Sequence, residues 1–314
     1  MKPEYIFLIV LGVSVICALI TAYVCYRMIF RAPKRRPKPE GVDIPEGEIY
    51  SARKKQLTDW GNEVRALPHR EVSIKTFDGL TLRGRYYEFF KGAPIELMLH
   101  GYKGNSERDL SGGVIRGRTL GHNVLLFDHR GSGESDGKVI TFGINESRDC
   151  RRWVDFIIEN IDKDARIILT GVSMGAATVM ICSAMDMPKN VIGVLADCGY
   201  TSARAIIKKV IRDMKLPAWL LYPFVRLGAV LFGRFNIDKT SPIEAMKECK
   251  LPVIFIHGDA DDFVPYSMSE ENYAACVSEK KSLVAIEGAG HGLAFPADEE
   301  KYLKSVKEFF EVLY

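Results

Sequence analysis

From residue 95 onward, short and mostly apolar runs are separated by longer stretches of helical periodicity. That alternation restricts the fold more than any other feature of the chain. The runs lie at 95–99, 124–127, 167–170, 191–195, 253–256 and 283–286, bounded by glycine or charge. Such runs read as strands buried on both faces, and therefore as a parallel sheet. Between them, Cys150, Trp153, Val154 and Ile157 fall on one face of a helix over 145–160, and Tyr302, Val306, Phe309 and Leu313 align near the C-terminus. One-sided faces of this kind pack on a sheet. Upstream, 71–77 and 82–87 carry β-formers on either side of Asp78-Gly79, a hairpin signal, and 53–65 is expected to form a short helix with Trp60. An antiparallel start followed by βα units predicts an α/β fold, a mostly parallel central sheet flanked by helices. One interval breaks the rhythm. Between Asp197 and Pro252 there is more chain than one crossover helix needs, so a helical cap insertion is expected at about 199–250, including 203–214 and the apolar 219–232.

Gly171-Val172-Ser173-Met174-Gly175 follows one of the expected strands and precedes a good helix former. A serine on so tight a strand-to-helix turn projects above the sheet, and the flanking glycines allow the backbone to make it. A serine hydroxyl is a poor nucleophile at neutral pH, so it needs a base, and the base needs an orienting acid. On such a layout the acid and then the histidine come later in the chain, each in a loop after a strand. Only His257 and His291 follow Ser173. His257 ends an apolar run and reads as structural, whereas His291 sits in Gly288-Ala289-Gly290-His291-Gly292 and is the candidate general base. Between them, Asp259, Asp261 and Asp262 offer three carboxylates, one of which is the expected orienting acid. They lack the glycine and later glutamate of an EF-hand calcium loop. For the oxyanion, the N–H of Met174 is one candidate donor, and that of Tyr102, in His100-Gly101-Tyr102-Lys103-Gly104-Asn105, is the other. Asp128-His129-Arg130-Gly131-Ser132-Gly133 fails as a dinucleotide or phosphate loop, because no third glycine or G-K-[ST] is in register.

Together, in this order, these motifs resemble those of bacterial α/β-hydrolase fold enzymes related to the serine aminopeptidase and prolyl-oligopeptidase families, over roughly residues 70–314. The resemblance implies Asp261 as the acid, from its place before x-x-V-P in His257-Gly258-Asp259-Ala260-Asp261-Asp262-Phe263-Val264-Pro265. It also implies esterase or peptidase activity. The expected reaction is hydrolysis of an ester, thioester or amide through an acyl-enzyme, with carboxylesterase-like activity favoured over an aminopeptidase-like peptidase or an acyltransferase. The substrate would be a small ester or peptide-like molecule, and the chemistry calls for no cofactor and no metal. A serine nucleophile argues against dehalogenase or epoxide hydrolase chemistry. A non-catalytic scaffold of this fold is the rival from another class, and its mark would be a missing member among Ser173, Asp261 and His291.

Residues 5–26 carry no charge, 22 positions rich in Ile, Leu and Val. At 1.5 Å per residue such a run spans a hydrocarbon core of about 30 Å. It is longer than a signal-peptide core and lacks an A-x-A-like site near Tyr26. A single-pass membrane anchor over residues 1–30 is expected. Arg27, Arg31, Lys34, Arg35, Arg36 and Lys38 follow the run against Lys2 before it, which predicts a cytoplasmic catalytic domain. Pro33, Pro37, Pro39 and Pro45 suggest a stiff, solvated linker over 31–48, within a basic linker and short helix at 31–66, ahead of a hydrolase domain at 67–314. Residues 1–40 hold seven basic and two acidic side chains. The remainder is slightly acidic, which speaks against nucleic acid as a partner. The seven cysteines lack C-x-x-C spacing, so neither a disulfide framework nor a zinc site is suggested.

Overall fold

The computed structural model describes residues 2–33, 41–44 and 47–311. Lys34, Arg35, Arg36, Pro37, Lys38, Pro39 and Pro45 of the expected linker, and Leu313 of the last helical face, lie outside the described residues. In chain order the elements are helices α1 (Pro3–Ile29), α2 (Glu48–Ser51) and α3 (Lys54–Ala66), then strands β1 (Arg70–Lys75), β2 (Thr81–Tyr87) and β3 (Ile95–Leu99). Helix α4 (Ser106–Thr119), β4 (Asn123–Phe127), α5 (Ile144–Asn160), β5 (Ile167–Val172), α6 (Met174–Ser183) and β6 (Val191–Asp197) follow. The cap comprises α7 (Ala203–Asp213), α8 (Ala218–Gly228), a π-helical turn (Ala229–Gly233) and α9 (Pro242–Met246). Then come β7 (Val253–Gly258), α10 (Ser267–Ala275), β8 (Lys281–Ile286), α11 (Ala294–Ala297) and α12 (Glu299–Glu311).

All six expected buried runs are strands, and the hairpin forms β1 and β2. The eight strands make one sheet in the order β1-β2-β4-β3-β5-β6-β7-β8. β1 and β2 pair antiparallel, as do β2 and β4, and every other neighbour is parallel. Every residue of β3 and β4 is buried, because helices cover both faces. Trp153 and Val154 of α5 and Val179 of α6 pack on one side with Met246 of α9. On the other side lie Val64 of α3 and Val114 of α4, with Tyr302 and Val306 of α12. Trp153 stacks on Phe127 with ring centroids 5.1 Å apart, a contact whose truncation to alanine costs about 3–5 kcal/mol. Glu96, fully buried in β3, pairs with Arg116 of α4 and hydrogen-bonds His122. Each charge in this buried group has a partner, as burial of ionised side chains requires.

The strand order places the site. β3 has β4 on one side and β5 on the other. The loops leaving β3 and β5 therefore open side by side at the carboxyl end of the sheet, where ligands bind in doubly wound folds.

Packing crosses the expected boundary at residue 30. α1 begins with residues 3–17 exposed, but Ala22 is buried, as are Tyr26 and Phe30, which join a cluster with Tyr222, Val225 and Ala229 of the cap. Gly228 permits this approach, since a Cβ there would lie 2.4 Å from the Ala22 carbonyl oxygen. The start of the linker is not solvated as expected. Ala32 N–H donates to the Lys138 carbonyl at 3.0 Å, Ile140 N–H to that of Phe30 at 2.8 Å, and Arg31 pairs with Val139. Val42 lies against Gly61 of α3. The physical reason is the aromatic content that proline spacing does not reveal. Burying a ring such as Phe30 contributes roughly 1.5–3 kcal/mol, and it drags its neighbours into pairing.

Candidate active site

Ser173 sits between β5 and α6 with φ 57° and ψ −116°, a conformation that costs about 1–3 kcal/mol and persists only where its surroundings impose it. The imposition is visible. Ser173 N–H donates to the Asp197 carbonyl at 2.8 Å. A Cβ on Gly171 would meet the Gly175 carbonyl carbon at 2.2 Å, and one on Gly175 would meet the Leu99 carbonyl oxygen at 2.1 Å. Only glycine lets the elbow press against the end of β3.

The three sequence-predicted side chains meet. Ser173 Oγ is 2.9 Å from His291 Nε2, and His291 Nδ1 is 2.7 Å from Asp261 Oδ2. With Nδ1 facing a carboxylate, Nδ1 carries the proton and Nε2 is left to accept from the serine hydroxyl. Asp261 is singled out from its neighbours by its bonds. Its Oδ1 accepts the N–H groups of Phe263 at 2.9 Å and Val264 at 2.8 Å. Asp259 instead accepts Gly288 N–H at 2.7 Å and is exposed, and Asp262 is exposed too. Burial pushes the Asp261 carboxyl up, but hydrogen bonds from His257 and His291, the charge of His291 and the Val264 N–H together hold it well below the usual carboxylate range.

His257, expected to be structural, belongs to this network. Its Nε2 lies 3.0 Å from Asp261 Oδ2 and 2.9 Å from the Val264 carbonyl, and its Nδ1 is 2.7 Å from Ser269 Oγ. Nε2 faces two acceptors, so it carries the proton and Nδ1 accepts from the serine. The sequence placed His257 at a strand end; the four-residue spacing to Asp261 was the available signal. Tyr50, from the segment before the hydrolase domain, also reaches the site, its hydroxyl donating to the His291 carbonyl at 3.1 Å. Burial, with smaller contributions from Cys198 and nearby carboxylates, pushes its hydroxyl up to about 12, so it remains a donor.

The loop after β3 lies against the serine: a Cβ on Gly101 would be 3.7 Å from Ser173 Cβ. Gly101 N–H is taken by Asp109 at 3.1 Å. Among the described residues no hydrogen bond occupies the N–H of Tyr102 or of Met174, the first residue of α6. The two histidines of the neighbouring loops interlock behind them. His129 N–H donates to His100 Nε2 at 3.0 Å, and His129 Nε2 donates to the His100 carbonyl at 3.1 Å. Burial keeps both rings neutral by lowering their pKa. In the Asp128–Gly133 motif, Asp128 accepts Ser106 N–H at 2.8 Å and Glu134 N–H at 2.9 Å, so its carboxylate ties the loop after β4 to the start of α4.

Ligand atoms of Cys198, Asp261 and His291 lie within 4.8 Å of one another, a trio with metal-ligating chemistry. Burial pushes the Cys198 thiol well up, and a neutral thiol is a poor ligand, so these residues suit a proton relay better than a metal.

The cap residues differ from expectation. The apolar stretch with Trp219, Leu221, Phe224, Leu227 and Leu231 reads from sequence either as packing on the hydrolase core alone or as facing both the core and an acyl pocket. Leu221 packs against the cluster that holds Met174, Phe142 and Tyr200, whereas Trp219 is 78% exposed and Leu231 46%. The reason is α1: it takes the groove beside α8, rotating the apolar surplus of that helix outward. Ser173 itself is 7% exposed.

Comparison with known proteins agrees with this architecture. The Bacillus subtilis protein YqkD is 29% identical over 193 residues, 61% of this chain and 63% of that protein's length. The Mycobacterium tuberculosis protein Rv2307c is 30% identical over 244 residues, 76% of this chain and 78% of its own. The structure of the Pyrococcus furiosus esterase Pf2001 superposes with a TM-score of 0.68 at 23% identity, covering 90% of this chain and 97% of that one, which speaks to the fold. The profile of the alpha/beta hydrolase family matches residues 97–303, from β3 through the loop of His291 into α12, and the chain belongs to that family.

Proposed function

We propose that this chain is a membrane-anchored serine hydrolase that cleaves carboxylic esters through an acyl-enzyme. The observation that carries this reading is the continuous relay of 2.9 Å and 2.7 Å from Ser173 Oγ through His291 to Asp261. His291 Nε2 takes the serine proton as Oγ bonds to the acyl carbon. The Asp261 carboxylate stabilises the imidazolium and holds its tautomer. The oxyanion accepts from Tyr102 and Met174 N–H, each such donor contributing about 2.7–4 kcal/mol to the transition state. His291 then returns the proton to the departing alkoxide as the C–O bond breaks. Water, activated by the same ring, hydrolyses the ester to Ser173 and releases the acid.

The ester preference rests on the apolar cluster beside the serine, in which Met174 joins Phe142 and Tyr200 and is flanked by Tyr102. Such a surround accepts an acyl chain, each buried CH₂ contributing about 0.8 kcal/mol. For p-nitrophenyl esters, kcat/KM is expected to rise from acetate to medium chain lengths. A steady decline from acetate, or a preference for aminoacyl amides, would overturn the ester reading in favour of the peptidase. Transfer to an added alcohol in place of water would favour the acyltransferase. In this reading α1, which holds an 18-residue stretch of mean hydropathy 2.7 and has the length to cross a membrane, is retained as the anchor, and the basic residues after it keep the catalytic domain in the cytoplasm.

A further inference from the structure

The exposed residues of the cap helix form one apolar face. At about 100° per residue, Trp219, Leu220, Leu227, Val230 and Leu231 project over one side of α8 and the turn that follows it, while Ala218, Tyr222, Val225 and Ala229 are buried on the other. These five residues are between 36% and 78% exposed, and on an isolated soluble domain a face of this kind is an association site. It lies directly beside α1. The two helices run in the same direction, as successive contacts show: Gly228 meets Ala22, Gly233 meets Tyr26, and Phe235 meets Phe30 at 5.2 Å between ring centroids. The first turns of α8, with Trp219 and Leu220, therefore lie beside the part of α1 that precedes Ala22.

Length decides what covers this face. Residues 3–17, the part of α1 in which every residue is exposed, are about 22 Å long. A hydrocarbon core is about 30 Å thick, so if α1 spans it, the missing length of about 8 Å must come from the turns docked on α8. Those turns carry α8 with them. A depth of that order is what an interfacial helix reaches, about 5–10 Å into the boundary between headgroups and acyl chains. The charges fit. Arg212 and Lys215, before α8, can extend to the phosphates, while Arg226, at the edge of its apolar face, pairs with Asp238 at 2.7 Å. Arg27, Arg31, Lys103 and Lys138 line one surface groove at the end of α1.

We propose that the outer face of α8 is a second membrane-contacting surface, lying in the leaflet next to α1, so that the cap is an interfacial element of the enzyme. This rests on the reading of α1 as a retained anchor. It places the cap at the lipid surface, where substrates dissolved in the bilayer would arrive.

The test uses the full chain in phosphatidylcholine vesicles containing one-fifth anionic lipid (about 20%, enough to engage a basic surface). Carbonate washing comes first. Retention in the vesicles is expected, and release would overturn the anchor and the proposal together. With the protein retained, phosphatidylcholine brominated high on its acyl chains should quench tryptophan emission in the wild type, and this quenching should disappear in Trp219→Phe, because Trp60 and Trp153 lie away from the cap. Retained protein with no Trp219-dependent quenching, and with Trp219 open to aqueous iodide, would overturn the cap surface while leaving the anchor intact. The doubly substituted Leu220→Lys, Leu227→Lys chain supplies a functional readout. It should remain carbonate-resistant and hydrolyse a water-soluble ester at the wild-type rate, but lose activity on an ester presented in the bilayer. Equal activity on both substrates would also overturn the proposal.

Discussion

Asp261 receives four hydrogen-bond contacts, two from backbone N–H groups and two from histidine rings. That divides its role from those of the carboxylates on either side. Asp261→Asn removes the charge facing the imidazolium and permits the wrong tautomer, so kcat should fall by about 10⁴-fold. Asp259→Asn changes only a contact to Gly288 in an exposed turn and should leave kcat close to wild type. Comparable losses at both positions, in steady-state assays of purified variants, would contradict the assignment. His257 supports the acid rather than the reacting atoms. A hydrogen bond to a charged group contributes about 1.5–3 kcal/mol, so His257→Gln should lower kcat roughly tenfold to a hundredfold and leave KM nearly unchanged. Of the site, Ser173 and His291 were legible from a tight glycine turn and from a loop in the required chain order. Asp261 came from motif resemblance, because three neighbouring aspartates cannot be separated without knowing which backbone N–H groups turn inward. His257 was read as structural because a ring at a strand end gives no sign of which atoms its nitrogens meet.

At the scale of elements, β3 and α4 are joined by a buried charge group rather than by apolar contact alone. Burial raises the Glu96 carboxyl, but Arg116 and His122 more than compensate and hold it at about 2. An unfolded glutamate titrates near 4.3, so the folded value is the lower of the two, and the stabilisation, about 3 kcal/mol, is complete above the unfolded value. It is lost as pH falls through the folded value. Denaturant unfolding of the detergent-solubilised chain should show stability declining from about pH 5 towards pH 2, with a flatter decline in Glu96→Gln. Parallel acid dependence in both proteins would remove this group from the account. The strands were legible because runs buried on both faces have little alternative. Glu96 interrupts one of them, and nothing in 95–99 alone indicates that an arginine 20 residues later neutralises it. The cap was legible as an insertion, but the direction of its apolar residues was not, since that depends on α1 docking from more than 190 residues away in sequence.

For the whole molecule, the end of α1 is tied to the loop that carries a proposed oxyanion donor. Tyr102 hydroxyl donates to the Ile29 carbonyl at 2.6 Å, and Lys103 Nζ to the Met28 carbonyl at 2.7 Å. These bonds satisfy carbonyls that a helix end leaves without partners. Tyr102→Phe keeps the backbone N–H and loses one such bond, worth about 1 kcal/mol. A fall in kcat of up to about fivefold is expected on a soluble ester, with retained folding by circular dichroism. No change in kcat would show that α1 and the loop after β3 are independent. Orientation is tested by protease added to intact cells, which should leave the domain whole. Digestion from outside would place it on the opposite face.

Covalent labelling distinguishes a Ser173 nucleophile activated by His291 and Asp261 from an inert serine. A fluorophosphonate probe applied to the full chain, followed by peptide mass spectrometry, should place the adduct on Ser173, and Ser173→Ala should abolish labelling. An adduct on another residue, or labelling that persists in Ser173→Ala, would contradict the account.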